Sequence, residues 1–234
     1  MVKIIEQFFS EPYYYTQLGF SVMGNGKDEN QDHFEIFHNE HCLIAVIADG
    51  LGSAIYSSHG SKILCTTAIE ILKETENAML LANKILEKWL SNLEYKPTAC
   101  DSTLKFVKIT NEKAIIGGVG DGWITFLSNN EYLSLVAENS FANQTNTILS
   151  DLKSKFIIKE ISLKEDFIFL LATDGFSEDI DKIMGEKFLG NINESLDKDV
   201  HEFCANLENT LNNWPVITNS DDKSVVIIKR GLRK

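Results

Sequence analysis

The apolar positions of this chain fall into unbroken runs and helical stripes, separated by short polar turns. In residues 42–48, 114–120 and 167–173 nearly every side chain is apolar or small. Such a run predicts a strand with both faces buried, because a strand with one wet face would alternate. Further strands are predicted at 18–23, 33–37, 102–110, 113–119, 123–127, 132–136, 156–161, 166–172 and 223–229. Ile63, Leu64, Thr67, Ala68, Ile71 and Leu72 recur at three and four residues, which predicts a helix over 57–74. A second helix is predicted over 77–93, with Leu80, Leu81, Ile85, Leu86 and Trp89 as its stripe and Pro97 closing that layer. Leu196, Val200, Phe203, Leu207 and Leu211 share one face of a last helix, which Trp214-Pro215 ends.

Asn111-Glu112 supplies a tight turn, so the strands between 102 and 136 read as an antiparallel meander. Residues 137–155 are polar and weakly periodic, and read as a surface excursion. Strands and helices do not alternate one for one as in a parallel βαβ sheet. The class is therefore α+β, with sheets in the middle and helices outside. No repeat, low-complexity tract or Pro/Gly/Ser-rich linker interrupts the chain, and residues 1–234 read as a single domain.

Composition removes several function classes. The net charge of -12 argues against nucleic acid, whose phosphates demand a basic face. No stretch approaches the ~20 apolar residues of a membrane-spanning helix, so no membrane partner is expected. The first ten residues contain Glu6 and lead to no small-residue cleavage site, so a cytoplasmic location is expected. Cys42, Cys65, Cys100 and Cys204 are widely spaced, which predicts free core thiols rather than a disulfide framework. The histidines lack zinc-site spacing.

The chemistry lies where the buried runs end. Each runs into Asp-Gly: Asp49-Gly50, Asp121-Gly122 and Asp174-Gly175. Asp-Gly is also a favoured hairpin turn, so one instance would carry little weight. Three after buried strands place carboxylates at the mouth of a core sheet, and each glycine lets the backbone turn or a ligand approach. Rigid oxygen ligands of this kind suit a hard divalent cation. Asp32, in Lys27-Asp28-Glu29-Asn30-Gln31-Asp32, and Asp221-Asp222 before the last strand extend the set.

The ordered series Asn-Gln-Asp (30–32), Ala-Asp-Gly (48–50), Cys-Asp-Ser-Thr-Leu (100–104), Gly-Asp-Gly (120–122), Thr-Asp-Gly (173–175) and Asp-Asp-x-Ser (221–224) resembles the metal-dependent, 2C-type serine/threonine phosphatases. The likeness is greatest to their compact bacterial branch and covers about residues 19–228. It implies a four-layer α-β-β-α sandwich, two central, mostly antiparallel sheets flanked by helix pairs, with a metal cleft at one end. It further implies two Mn²⁺ or Mg²⁺ ions. Asp49 would bridge them, with the Gly50 carbonyl as a further ligand. Asp174 and Asp221 would hold one ion and Asp32 would act on the other, while Asp121 with Asp174 matches a third, weaker site. Two cations about 4 Å apart lower the pKa of a bridging water and clamp the phosphoryl oxygens.

Three departures from the family pattern stand out. Lys27 occupies the place of the phosphate-binding arginine, so with Asp49 and Asp174 it is a catalytic candidate, but as a point charge without the guanidinium fork. Leu51 stands where some members carry a histidine, which leaves protonation of the leaving group to water. Asp222 replaces the usual asparagine, and the ligand role falls to Asp221. The resemblance implies hydrolysis of phosphoserine and phosphothreonine in proteins, opposing a serine/threonine kinase, with no phosphoenzyme. It also places a variable flap at 137–155 beside the cleft. Two other readings remain open: a metal-binding regulator that recognises phosphosites with little turnover, and a hydrolase of small phosphate esters.

Overall fold

The computed structural model describes residues 2–10, 12–128, 131–136, 145–150, 155–164 and 166–232. In chain order its strands are β1 (Val2–Ser10), β2 (Tyr13–Val22), β3 (Asp32–His38), β4 (Leu43–Asp49), β5 (Leu104–Ile109), β6 (Lys113–Val119), β7 (Trp123–Ser128), β8 (Glu131–Val136), β9 (Ile157–Ser162), β10 (Phe167–Ala172) and β11 (Lys223–Leu232). The helices are α1 (Ser57–Glu74), α2 (Ala78–Asn92), the single turn α3 (Asp174–Ser177), α4 (Gly185–Lys198) and α5 (Val200–Asn212). One antiparallel sheet has the order β1-β2-β11-β10-β7-β8 and the other β3-β4-β5-β6-β9.

The unbroken apolar runs are explained by what lies on their two sides. From β4, Ile44 and Val46 pack with Leu64, Leu72, Leu81 and Trp89 of the α1–α2 layer. The alternate residues Ala45 and Ile47 meet Phe126, Phe169 and Val226 of the facing sheet. Strand β10 does the same on the other side: Phe167, Phe169 and Leu171 enter the space between the sheets. Ile168, Leu170 and Ala172 turn to Leu189, Leu196 and Leu211 of α4 and α5. With a side-chain period of two, both faces of each central strand are dry. The result is the four-layer α-β-β-α sandwich, antiparallel throughout the pairings of its two sheets.

Several local expectations are corrected. The last helix is two, because the Asp199 carboxylate accepts from the His201 and Glu202 amides and starts a new helix there. Strand β1 escapes the hydrophobic pattern, being an edge strand paired only with β2, with Ile4 and Phe8 partly buried. The 102–136 meander is broken, since β6 and β7 lie in different sheets. The chain crosses between them at Gly120 and Gly122, whose φ values of +93° and +84° are disfavoured for residues with a side chain. Of the expected flap, 137–144 and 151–154 lie outside the described residues. Ile148 within it is fully buried in the core beneath α1 and α2.

Candidate metal centre

Antiparallel pairing gathers the acidic motifs at one end of the sandwich. Asp32 begins β3 and lies directly opposite Asp49, which ends β4. Strand β10 ends beside the starts of β7 and β11, with Ala172 opposite both Trp123 and Val225. Asp174 follows β10, Asp121 precedes β7, and Asp221-Asp222 precede β11. Thus residues far apart in the chain arrive together because the strand ends that carry them are neighbours.

Carboxylate oxygens of Asp49, Asp121 and Asp174 lie within 4.8 Å of one another, on side chains that are half-buried. Asp32 is buried beside them, and its Oδ2 accepts the Thr173 hydroxyl at 2.8 Å. Asp121 Oδ2 accepts the Thr145 hydroxyl at 2.8 Å. The other oxygens, Asp32 Oδ1 and Asp121 Oδ1, are buried with no hydrogen-bond partner among the described residues. Unpartnered buried acceptors are rare and call for a missing partner. A divalent cation fits that requirement. Asp221 is the more exposed member, and the Gly50 backbone N–H donates a hydrogen bond to the Gln31 carbonyl at 3.1 Å.

The electrostatics point the same way. Burial, then the charges of Asp121, Asp221 and Asp32, push the Asp174 carboxyl up to about 7. Burial lifts Asp32 to about 6, with Asp222 adding to the rise and hydrogen bonds from Thr173 and Ser224 opposing it. Burial, then Asp32, Asp174 and Asp221, hold Asp49 well above the carboxylate range. Crowded, desolvated carboxylates without a cation keep protons instead, and a metal inverts that preference.

Lys27 is placed differently from a free phosphate ligand. Its ammonium donates to Asp221, to Asp222 Oδ2 at 2.9 Å and to Gln31 Oε1 at 3.4 Å. Burial opposes the charge, but the two carboxylates outweigh it and Lys27 titrates above its usual range. Asp222, fully buried, also accepts the Gly24 amide at 2.8 Å and the Gln31 amide at 2.9 Å. It ties the loop carrying Lys27 and Gln31 to the start of β11. The sequence pattern gave Asp222 no such role, and it missed the hydroxyls of Thr145 and Thr173. An open groove of about 680 Å³ adjoins the cluster, lined by Lys27, Gln31, Gly52, Glu178 and Asp221 among others.

A sequence model of the protein phosphatase 2C family matches residues 24–213. The chain belongs to that family. It is accordingly a metal-dependent phosphoprotein phosphatase, with phosphoproteins as its substrate class. Solved 2C-type structures share its fold over nearly their whole length. RsbX in complex with magnesium is 18% identical, with 97% of this chain and 100% of that chain covered at a TM-score of 0.67. The catalytic domain of the serine/threonine phosphatase PstP, in complex with two manganese ions, is 15% identical, with 94% and 99% covered and a TM-score of 0.65. The S. agalactiae serine/threonine phosphatase is 16% identical, with 94% and 100% covered and a TM-score of 0.67. No curated protein sequence matches the chain. The acidic cluster of this 2C-type phosphatase is compatible with Mg²⁺ or Mn²⁺. Among the described residues no helix is long and apolar enough to cross a membrane.

Proposed function

We propose that the protein hydrolyses phosphoserine and phosphothreonine in proteins, opposing a serine/threonine kinase, with two divalent cations at the acidic cluster. The observation that carries this reading is the convergence of Asp49, Asp121 and Asp174 within 4.8 Å beside the unpartnered Asp32 Oδ1. In this reading Asp49, with the Gly50 carbonyl beside it, would help to hold both ions. Asp174 and Asp221 serve one ion and Asp32 the other, and Asp121 with Asp174 offers a third, weaker place. Bound cations would supply Lewis acidity that makes water a competent nucleophile near neutral pH, and charge that offsets the phosphoryl oxygens. The P–O bond to the serine or threonine oxygen breaks as water forms a new P–O bond. With Leu51 beyond Gly50, the departing alkoxide takes its proton from water rather than from a histidine there.

Lys27 is the proposed phosphate contact. An ammonium has three N–H donors, and here they meet Asp221, Asp222 and Gln31. A phosphoryl oxygen would enter by replacing Gln31, the longest of the three. The same contacts favour a second reading, a phosphosite-binding regulator with little turnover, because two carboxylates already offset the charge of Lys27. Residues 1–234 are taken as one catalytic domain, with 137–155 as a selectivity flap. Four free cysteines accord with a reducing, cytoplasmic compartment.

The test is release of phosphate from a phosphothreonine peptide in Mn²⁺, in Mg²⁺ and in chelator, for wild type and Asp174→Asn. Cation-dependent release that falls at least a hundredfold in the variant is expected, on the order of what removal of one preorganised electrostatic group costs. Saturable peptide binding without release by folded, metal-loaded wild type would establish the regulator instead.

A further inference from the structure

Strand β5 carries two lysines that are both buried, Lys105 and Lys108. Lys108 has a clear local role, since its ammonium donates to the Leu72 and Thr75 carbonyls at 2.6 and 3.1 Å, at the C-terminal end of α1. Cations are favoured there because the last turn of a helix leaves its carbonyls unpaired. Lys105 has no helix end. Its ammonium donates to the Val119 carbonyl at 3.1 Å and the Gly120 carbonyl at 2.7 Å. Those carbonyls belong to the crossover that delivers Asp121. Among the described residues no carboxylate lies within ion-pair distance of Lys105.

A charge in such a place is costly unless something else offsets it. Two carbonyl dipoles do part of this. A further part comes from across the crossover: burial disfavours the ammonium most, while Asp121, Asp174 and Asp49 favour it, leaving a pKa of about 8, below the ordinary 10.5. These are the same three carboxylates that crowd within 4.8 Å. Buried lysine and acidic cluster therefore each lower the cost of the other.

We propose that the Lys105 ammonium is the built-in counter-ion of the Asp49–Asp121–Asp174 cluster, favouring the metal-free cluster over the metal-bound one by competing electrostatically with the divalent cations. The inference rests on the cation site proposed above. Its consequence is a cycle: whatever Lys105 adds to the metal-free fold beyond the metal-bound fold appears as weakened metal affinity. A purely structural lysine, holding only the Val119 and Gly120 carbonyls, would stabilise both forms alike.

The test uses Lys105→Met and Lys105→Gln, which remove the charge, and Lys105→Arg, which keeps it. Thermal unfolding is followed in chelator and in saturating Mn²⁺, and Mn²⁺ binding is measured by calorimetry. For Met and Gln the rise in melting temperature from chelator to saturating Mn²⁺ is expected to be larger than in wild type. The Mn²⁺ dissociation constant should fall by about tenfold, a 1.4 kcal/mol change. Arginine should leave the wild-type gap between the two conditions in place. Gln retains a donor for the carbonyls, so it answers the question even if Met does not fold. An unchanged Mn²⁺-induced rise, or weaker Mn²⁺ binding by Met and Gln, would overturn the proposal. If wild type itself bound no Mn²⁺, the metal reading would fall first and this inference with it.

Discussion

Removing one carboxylate of the acidic cluster should make the metal-free protein more stable, and by an amount that depends on pH. Take Asp174→Asn in chelator. In the fold, burial and three neighbouring carboxylates raise the Asp174 pKa to about 7, from 3.8. At low pH the carboxyl is protonated in both folded and unfolded chains and costs nothing. As pH rises past 4 the unfolded chain gives up its proton first, so stability is lost until the folded carboxyl also ionises near pH 7. The loss is about 1–2 kcal/mol at pH 5 and about 4 kcal/mol at pH 8. Asparagine has no charge to desolvate, and its side-chain oxygen can still accept the Gly175 amide, which the carboxylate holds at 2.7 Å. The variant should therefore gain little at pH 5 and several kcal/mol at pH 8. For a chain of this size that is a rise in melting temperature of roughly 8–16 °C at the higher pH. Urea unfolding in chelator at the two pH values measures it. Saturating Mn²⁺ should then raise wild type well above the variant, which has lost a ligand. A gain that does not change between pH 5 and pH 8, or a loss at both, would refute the argument that the cluster is electrostatically strained.

Asp222→Ala should destabilise the protein by about 3 kcal/mol, because it strips the acceptor from the buried Gly24 amide and the part-buried Gln31 amide and removes one of the two carboxylates on Lys27. Chemical denaturation checks the value, and a loss under about 1 kcal/mol would mean that the loop is held elsewhere. Thr145→Val removes the hydroxyl on Asp121 with little change in volume. It should raise the Mn²⁺ concentration needed for half-maximal phosphate release severalfold while moving the melting temperature by no more than a few degrees; an unchanged Mn²⁺ requirement would show that Thr145 does not aim Asp121.

How much of this was legible beforehand follows from what is local. An apolar run such as 167–173 states by itself that its strand is dry on both faces, and a terminal Asp-Gly states that a carboxylate sits at the strand's end. The order of those motifs, with a surplus of acid and no basic patch, sufficed to indicate the family, the layer architecture and carboxylates that the fold gathers at one end. Periodicity is a property of neighbouring residues, so it could not say which sheet each strand would join. It therefore missed that β6 and β7 part company at Gly120–Gly122 and that Asp199 starts a new helix. It also missed the edge strand β1, whose apolar residues come as the pairs Ile4-Ile5 and Phe8-Phe9 instead of alternating. The partners of side chains are less local still. Only the packed fold pairs Lys27 with Asp221 and Asp222, brings Thr145 to Asp121, and sets the Lys105 ammonium on the Gly120 carbonyl next to Asp121. Those contacts join positions up to 195 residues apart, and their energies arise from burial and field, which exist only once both sheets have closed on each other.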